Sequence, residues 1–374
     1  MDFELSDDQI VLREAANQIL GEQSSAARVR AVVDNGGGWD RELWASLMEQ
    51  GWSGIATSEL LGGVGLGWVE AAVLLEALGV YLAPVPLLGQ LLVLDVLSYG
   101  SPTEISLVVG GISETRRSDL IGGLVSGDMI AAAGFGCLAA KQDSSGWILS
   151  GQTEPIPFAS SADVVVVRAV DGDGQERLFL IEQDAQSRPA AESAMDQTRE
   201  LARLSLDGTR ATELGGPELV NRYIARGAIA YSAELLGAAS RCLDLTVEHA
   251  KERVQFGRPI GSFQAVKHRC ADMLVDLEGM RSSTWWAAWC AEVADPETAL
   301  AASVAKSWCS DAADRVLKSA LQVHGGMGFT WECDLHLYLK RVQLDRVSFG
   351  SAAWHRDRVA EILRARVQSG AGVL

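Results

Sequence analysis

From Asp7 to Leu97 apolar residues recur at helical spacing, as in Ile10, Leu12, Ala16 and Ile19, with breaks at Gly36-Gly37-Gly38, Leu61-Gly62-Gly63 and Pro84-Val85-Pro86. This pattern predicts an N-terminal α-helical domain, placed at residues 1–119. From about Leu120 the period shortens. Runs of strand length at Met129 to Ala133, Gly146 to Leu149, Val164 to Val167 and Leu178 to Ile181 alternate with turn signals such as Asp143-Ser144-Ser145-Gly146 and Asp171-Gly172-Asp173-Gly174. They predict a small middle antiparallel β domain, placed at residues 120–215, whose pattern ends near Leu206-Asp207-Gly208. Helical spacing returns at Pro217, a residue suited to the first turn of a helix, and continues with Leu236, Leu243 and Val247 on one stripe. Only Pro259 and Pro296 interrupt it, so residues 216–374 form a C-terminal helical domain. The fold class is α+β, in the order helical, β, helical.

Composition narrows the function. The 374 residues are 48% hydrophobic and 22% charged, too apolar for disorder. Lys and Arg number 32 against 49 Asp and Glu, a formal net charge of −17. That field repels a phosphate backbone and argues against nucleic acid as a partner, yet a few arginines and helix N-termini can still hold a small phosphorylated ligand. The acidic N-terminus reads as no signal peptide. Apolar runs such as Ala71 to Leu75 and Trp285 to Ala291 are too short for a membrane span, so a soluble, cytoplasmic protein is expected. The six cysteines are dispersed and read as reduced, mostly buried thiols, and the five histidines show no metal-ligand spacing, so no metal site is expected. Rossmann, P-loop, nucleophile-elbow and His-Glu-x-x-His motifs are missing.

Two segments carry candidate chemistry. Arg253-Val254-Gln255-Phe256-Gly257-Arg258-Pro259-Ile260, closing with Phe263-Gln264-Ala265-Val266-Lys267-His268, joins two helices through a Gly and Pro loop. An arginine fork beside fresh helix amides suits a phosphate, whereas the plain alternative is a solvated connector. Gln322-Val323-His324-Gly325-Gly326-Met327-Gly328-Phe329-Thr330 ends a helix with three glycines, where one would stop it, and so favours close backbone approach to a ligand.

Together these segments resemble the acyl-CoA dehydrogenase family, with its Arg-x-x-Phe-Gly loop, following Phe-Gln pair and later Gln-x-x-Gly-Gly-x-Gly-Phe. The resemblance extends to the opening Phe3-Glu4-Leu5-Ser6-Asp7-Asp8-Gln9 and to Leu60-Leu61-Gly62-Gly63-Val64-Gly65. It implies a helical domain, a β-barrel-like domain and a four-helix-bundle domain, assembled as a tetramer with FAD at a subunit interface. By resemblance Arg253, Gln255, Phe256, Gln264, Gln322, Gly325 and Gly326 hold the ADP half of a neighbour's FAD. The implied reaction is α,β-dehydrogenation of an acyl-CoA thioester: a glutamate removes the α-proton, the β-hydrogen leaves as hydride, and electron-transfer flavoprotein is the acceptor.

The sequence departs from that pattern at the base. The family's Tyr-Glu-Gly-Thr stretch corresponds to Ser348-Phe349-Gly350-Ser351, and the alternative base position in some relatives falls near Arg226 and Gly227. The next carboxylate on that helix is Glu234, about 10 Å further along the same side, in an apolar setting that makes it the candidate catalytic residue. The Thr-Glu-Pro-x-x-Gly-Ser-Asp segment expected after Met129 to Ala133 is missing, with Gly134 to Leu138 running on into a hairpin. Pro155-Ile156-Pro157 stands for the segment that shelves the flavin ring, and Thr153-Glu154-Pro155 follows the wrong strand to replace the lost motif. The half-site for a neighbour's flavin is intact and the chain's own half-site is eroded. The first expectation is therefore a subunit of a hetero-oligomeric acyl-CoA dehydrogenase. The alternatives are a homo-oligomeric enzyme with Glu234 as relocated base and a flavin-free acyl-CoA-binding scaffold. Trp285 and Trp289, sharing a helix face, read as core or subunit packing.

Overall fold

The computed structural model describes residues 5–100 and 111–370, so Phe3 and Glu4 of the opening motif lie outside the described residues. The chain divides into two compact units, each assembled from separate stretches: Met1–Val29, Ala72–Ala83 and Ala228–Leu374 in one, Arg30–Ala71 and Pro84–Gly227 in the other.

The first unit is helical. It contains α1 (Asp7–Gln23), the start of α2 (Ala26–Asp34), most of α4 (Trp68–Tyr81, after α3 at Arg41–Glu49), and the greater part of α7 (Pro217–Glu252). Ser6 starts α1 with a capping box: its hydroxyl accepts from Gln9 N–H, and the Gln9 side chain accepts from Ser6 N–H. The long helices α8 (Gln264–Glu292), α9 (Thr298–His324) and α11 (Ala352–Gln368), with the shorter α10 (Leu335–Asp345), complete the bundle. Helix α9 packs against α8, α10 and α11, and small buried residues such as Ala301, Ala305, Ala312, Ala313 and Ala320 permit the close approach. Helices α4 and α7 touch backbone to backbone. A Cβ on Gly79 would lie 2.1 Å from Glu234 O, and one on Gly237 would lie 1.9 Å from Glu76 O.

The second unit contains α3, the helices α5 (Leu87–Ser98) and α6 (Glu114–Ser126), and a closed five-stranded barrel in the order β1-β2-β7-β5-β4. Its strands are β1 (Ala131–Asp143), β2 (Gly146–Gln152), β4 (Val164–Val170), β5 (Glu176–Glu182) and β7 (Ser205–Gly215), while the short β3 (Ile156–Pro157) and β6 (Leu201–Ala202) pair beside it. The barrel corrects one expectation: it closes through a parallel pairing of β1 with β4, so it is not wholly antiparallel. Gly134 to Leu138, the bulged middle of β1, runs on into the β1–β2 hairpin as expected. Buried Gln90 on α5 ties the barrel to its covering helices: its amide donates to Leu124 O at 2.7 Å and Met129 O at 2.9 Å and accepts from Ala131 N–H at 2.7 Å. Every polar atom of that side chain is thus matched. Among the described residues, no helix is long and apolar enough to cross a membrane.

Candidate functional site

Both motif segments lie in the helical unit, each rooted at the end of a long helix. After α7 the chain makes a two-residue hairpin between β8 (Val254–Gln255) and β9 (Arg258–Pro259), with Phe256 at φ +55° and Gly257 at φ +77°. Positive φ at both central residues is the type I′ arrangement that suits a tight hairpin, and Phe256 bears the strain of the left-handed region. Arg253 N–H donates to His249 O and Ile260 N–H donates to Arg253 O, which seats the hairpin on the helix end. The Arg258 guanidinium lies 4.2 Å from the Phe263 ring centre, just before Gln264 opens α8.

The second segment ends α9. Gly325 has φ +62° and ψ −141°, a backbone state that side chains disfavour, and a short 3₁₀ turn runs from Gly325 to Phe329. The two segments meet where the His249 and His324 rings stack with centroids 4.2 Å apart. Arg253, Gln255, Phe256, Gln264, Gln322, Gly325 and Gly326 are all exposed, and a Cβ on Gly257, Gly325 or Gly326 would meet nothing within 4 Å. An exposed arginine, three exposed amide side chains, of which Gln255 donates to Val254 O at 2.9 Å, and open glycine backbone fit the pyrophosphate and adenine end of a dinucleotide. Phe256 is 91% exposed and Phe329 73%, so large apolar side chains flank the same surface.

The catalytic candidates look different. Glu234 is fully buried, and its Oε1 accepts from Arg341 Nη1 at 2.6 Å, with both side chains shut off from solvent. Its setting is therefore not simply apolar: the carboxylate is committed to a buried guanidinium on α10. Phe349 is also buried, at φ +53°, with its ring 5.6 Å from that of Tyr231. In the β unit, Arg226 belongs to a buried cluster in which Asp95 accepts from Arg222 and Trp68, with Arg226 Nε 3.4 Å away. Burial opposes the Asp95 charge, but the Arg226 and Arg222 guanidiniums outweigh it and hold its carboxyl below the usual range. Thr153 is a latch: its hydroxyl accepts from Leu204 N–H and its own N–H donates to Leu204 O.

Sequence reasoning missed Lys306. Its ammonium, fully buried on α9, donates to the carbonyls of Asp345 (3.0 Å), Arg346 (3.2 Å) and Gly350 (3.2 Å) and to Ser310 Oγ (3.1 Å). His355 Nε2–H donates to Phe349 O at 2.8 Å. Both ends of the loop that replaces the family's base segment are thereby pinned. Burial pushes Lys306 down to about 7 and His355 down to about 3. A lysine inside an Ala-rich helical stripe was the available sequence signal. Trp285 is buried, whereas Trp289 and Trp308 are exposed, with the Arg315 guanidinium over Trp308. A cavity of about 610 Å³ lies elsewhere in the helical unit, lined by residues including Glu76, Arg241, Asp244, Arg281 and Tyr338, and it contains none of the predicted site residues. Its floor is a Glu76–Arg281 ion pair at 3.2 Å. Cys242, Cys290 and Cys309 are buried free thiols, and Cys137 is exposed.

Comparison with known proteins agrees with this geometry. Residues 6–104 match the family model for the acyl-CoA dehydrogenase N-terminal domain, and residues 215–363 match that for the C-terminal domain. The chain is 36% identical over 338 residues to acyl-CoA dehydrogenase IpdE2 of Mycolicibacterium smegmatis, covering 90% of this chain and 93% of that protein. It is 34% identical over 333 residues to IpdE2 of Mycobacterium tuberculosis, covering 88% and 89%. Among solved structures, the ChsE4–ChsE5 complex from Mycobacterium tuberculosis superposes with a TM-score of 0.87 at 28% identity, over 97% of this chain and 99% of that one. By sequence, fold and motif, the chain belongs to the acyl-CoA dehydrogenase family of FAD-dependent oxidoreductases.

Proposed function

We propose that this chain is a subunit of a hetero-oligomeric acyl-CoA dehydrogenase, supplying the ADP half of the FAD site to a partner that carries the catalytic base. The observation that carries this reading is an asymmetry. The dinucleotide-adapted loops around Arg253 and Gly325 are exposed, while the position of the base is taken by the buried, pinned Phe349. Phenylalanine accepts no proton, and the nearest candidate, Glu234, is tied to Arg341. Support also comes from structurally similar two-chain assemblies, the ChsE4–ChsE5 complex and the Tcur3481–Tcur3483 steroid ACAD.

On this reading, bound FAD supplies the hydride acceptor. Arg253 opposes the pyrophosphate charge, Gln255, Gln264 and Gln322 offer amide donors, and Gly325 and Gly326 let backbone N–H groups approach. Phe256 shields that end from water. The acyl-CoA substrate meets the partner's carboxylate, and electron-transfer flavoprotein takes the electrons onward.

The test is to purify the chain alone and together with candidate neighbouring gene products, and to measure flavin content and acyl-CoA-dependent reduction of an artificial acceptor. The expected result is flavin retention and turnover only in the two-chain preparation. Full flavin and turnover from the lone chain would defeat the proposal. If Glu234→Gln then abolished that turnover with flavin content unchanged, the homo-oligomeric alternative would stand. A colourless two-chain complex that still binds acyl-CoA would favour the scaffold.

A further inference from the structure

His249 and His324 have no part in the cofactor assignment above, yet they lie between its two loops. Their rings stack with centroids 4.2 Å apart and planes 17° from parallel. Each histidine is the root of one loop. On the α7 side, Arg253 N–H donates to His249 O at 2.9 Å, and Ile260 N–H returns to Arg253 O at 2.8 Å, so the hairpin hangs from the turn that begins at His249. On the α9 side, His324 immediately precedes Gly325, and a Cβ on Gly328 would come within 3.1 Å of His324 Cβ, so the glycine turn folds back against the same residue.

The orientation of the His324 ring is fixed as well. His324 Nδ1–H donates to Ala320 O at 2.9 Å, which sets that imidazole along its own helix and presents its face to His249. Burial, His324 and Arg253 together hold His249 below the ordinary histidine value, against the opposing pull of Glu252. The loops belong to different helices and are otherwise exposed, so this ring contact bridges their bases.

We propose that the His249–His324 stack is a positioning pair that holds the Arg253 hairpin and the Gly325 turn in register as one cradle for an ADP moiety. The proposal rests on the reading of those loops as the ADP half of the FAD site. Neither imidazole needs to touch the ligand. The stack fixes the spacing between an arginine on one loop and the open glycine backbone of the other, and misplacement of either removes contacts to the same phosphates.

The experiment uses the full chain as wild type, His249→Ala and His249→Phe, with ADP as the probe in titration calorimetry, and hydrogen exchange read over residues 320–329. His249→Ala is expected to weaken ADP binding about tenfold, the scale of one lost ring contact. It should also speed exchange across the Gly325 turn, although the substitution lies on α7. His249→Phe keeps a ring face and should restore both. Unchanged affinity and exchange in His249→Ala would overturn the proposal, as would a His249→Phe variant no better than alanine. Failure of the wild type to bind ADP would sink the half-site reading itself. In that event, exchange that speeds in the alanine variant and recovers in the phenylalanine variant would still establish the tie between the loops.

Discussion

Two regions of the helical unit that the family motifs mark as functional spend their polar groups in opposite ways. At the bundle end, Arg253, Gln255, Gln264 and Gln322 face solvent, and the glycines beside them leave open space. At the loop from Arg346 to Ser351, the carbonyls of Arg346, Phe349 and Gly350 are taken up by Lys306 and His355, and Phe349 is packed away. A group already satisfied inside the fold stabilises the fold. A group left unsatisfied at the surface is available to something that binds. Under the proposed function, the difference separates ligand-directed chemistry at the first region from a catalytic position turned into structure at the second.

The largest expected effect tests the structural half of the comparison. Lys306→Met strands the buried carbonyls of Asp345 and Gly350 and the part-buried one of Arg346, and should destabilise the chain by about 3–5 kcal/mol, read by urea unfolding, while the folded fraction still binds ADP. Next, Glu234→Gln removes the carboxylate charge from its buried pair with Arg341 and should cost about 3 kcal/mol, with flavin content and turnover of the two-chain enzyme unchanged. Lost turnover at unchanged stability would instead make Glu234 the base.

On the ligand side, Arg253→Ala should leave unfolding free energy within about 0.5 kcal/mol and weaken ADP binding by about 2 kcal/mol, a charge-assisted hydrogen bond's worth. A large loss of stability there would erase the contrast between the two regions. The smallest effect is a pH dependence. Burial holds Lys306 at about 7, below its ordinary value of 10.5, so between those limits the unfolded chain carries the additional proton. Stability should therefore rise with pH from about 7 to 9, by about 1 kcal/mol per pH unit, and be insensitive to this group below 7. The difference between wild type and Lys306→Met, unfolded in urea at each pH, isolates that slope.

The contrast also explains what was legible in the sequence. The Arg253 and Gly325 loops announce themselves because their chemistry is local: arginine, glycine and glutamine within a few residues of helix ends. Helical periodicity likewise predicted the stripe through Leu236 and Leu243. Glu234 was legible as a carboxylate among apolar residues, but its partner Arg341 lies 107 positions away, and no periodicity links them. Lys306 stood out only as a lysine in an Ala-rich stripe, and its role was not legible, since three of its acceptors are backbone carbonyls that any sequence would provide. In the barrel, the Val164 to Val167 run marked β4, but its parallel partner β1 is chosen by closure of the sheet, which local alternation does not encode. Strand β7 escaped because its largely polar residues, Ser205 to Gly215, are mostly exposed or half-buried and show little of the apolar signal of a strand.

The central claim is that this chain lends half of a flavin site and keeps no complete site of its own. The most direct measurement is the flavin stoichiometry of the intact assembly, taken by native mass spectrometry together with the identity of its chains. One FAD for every pair of unlike chains is the predicted result. One FAD per chain in an assembly built only from this chain would contradict the account.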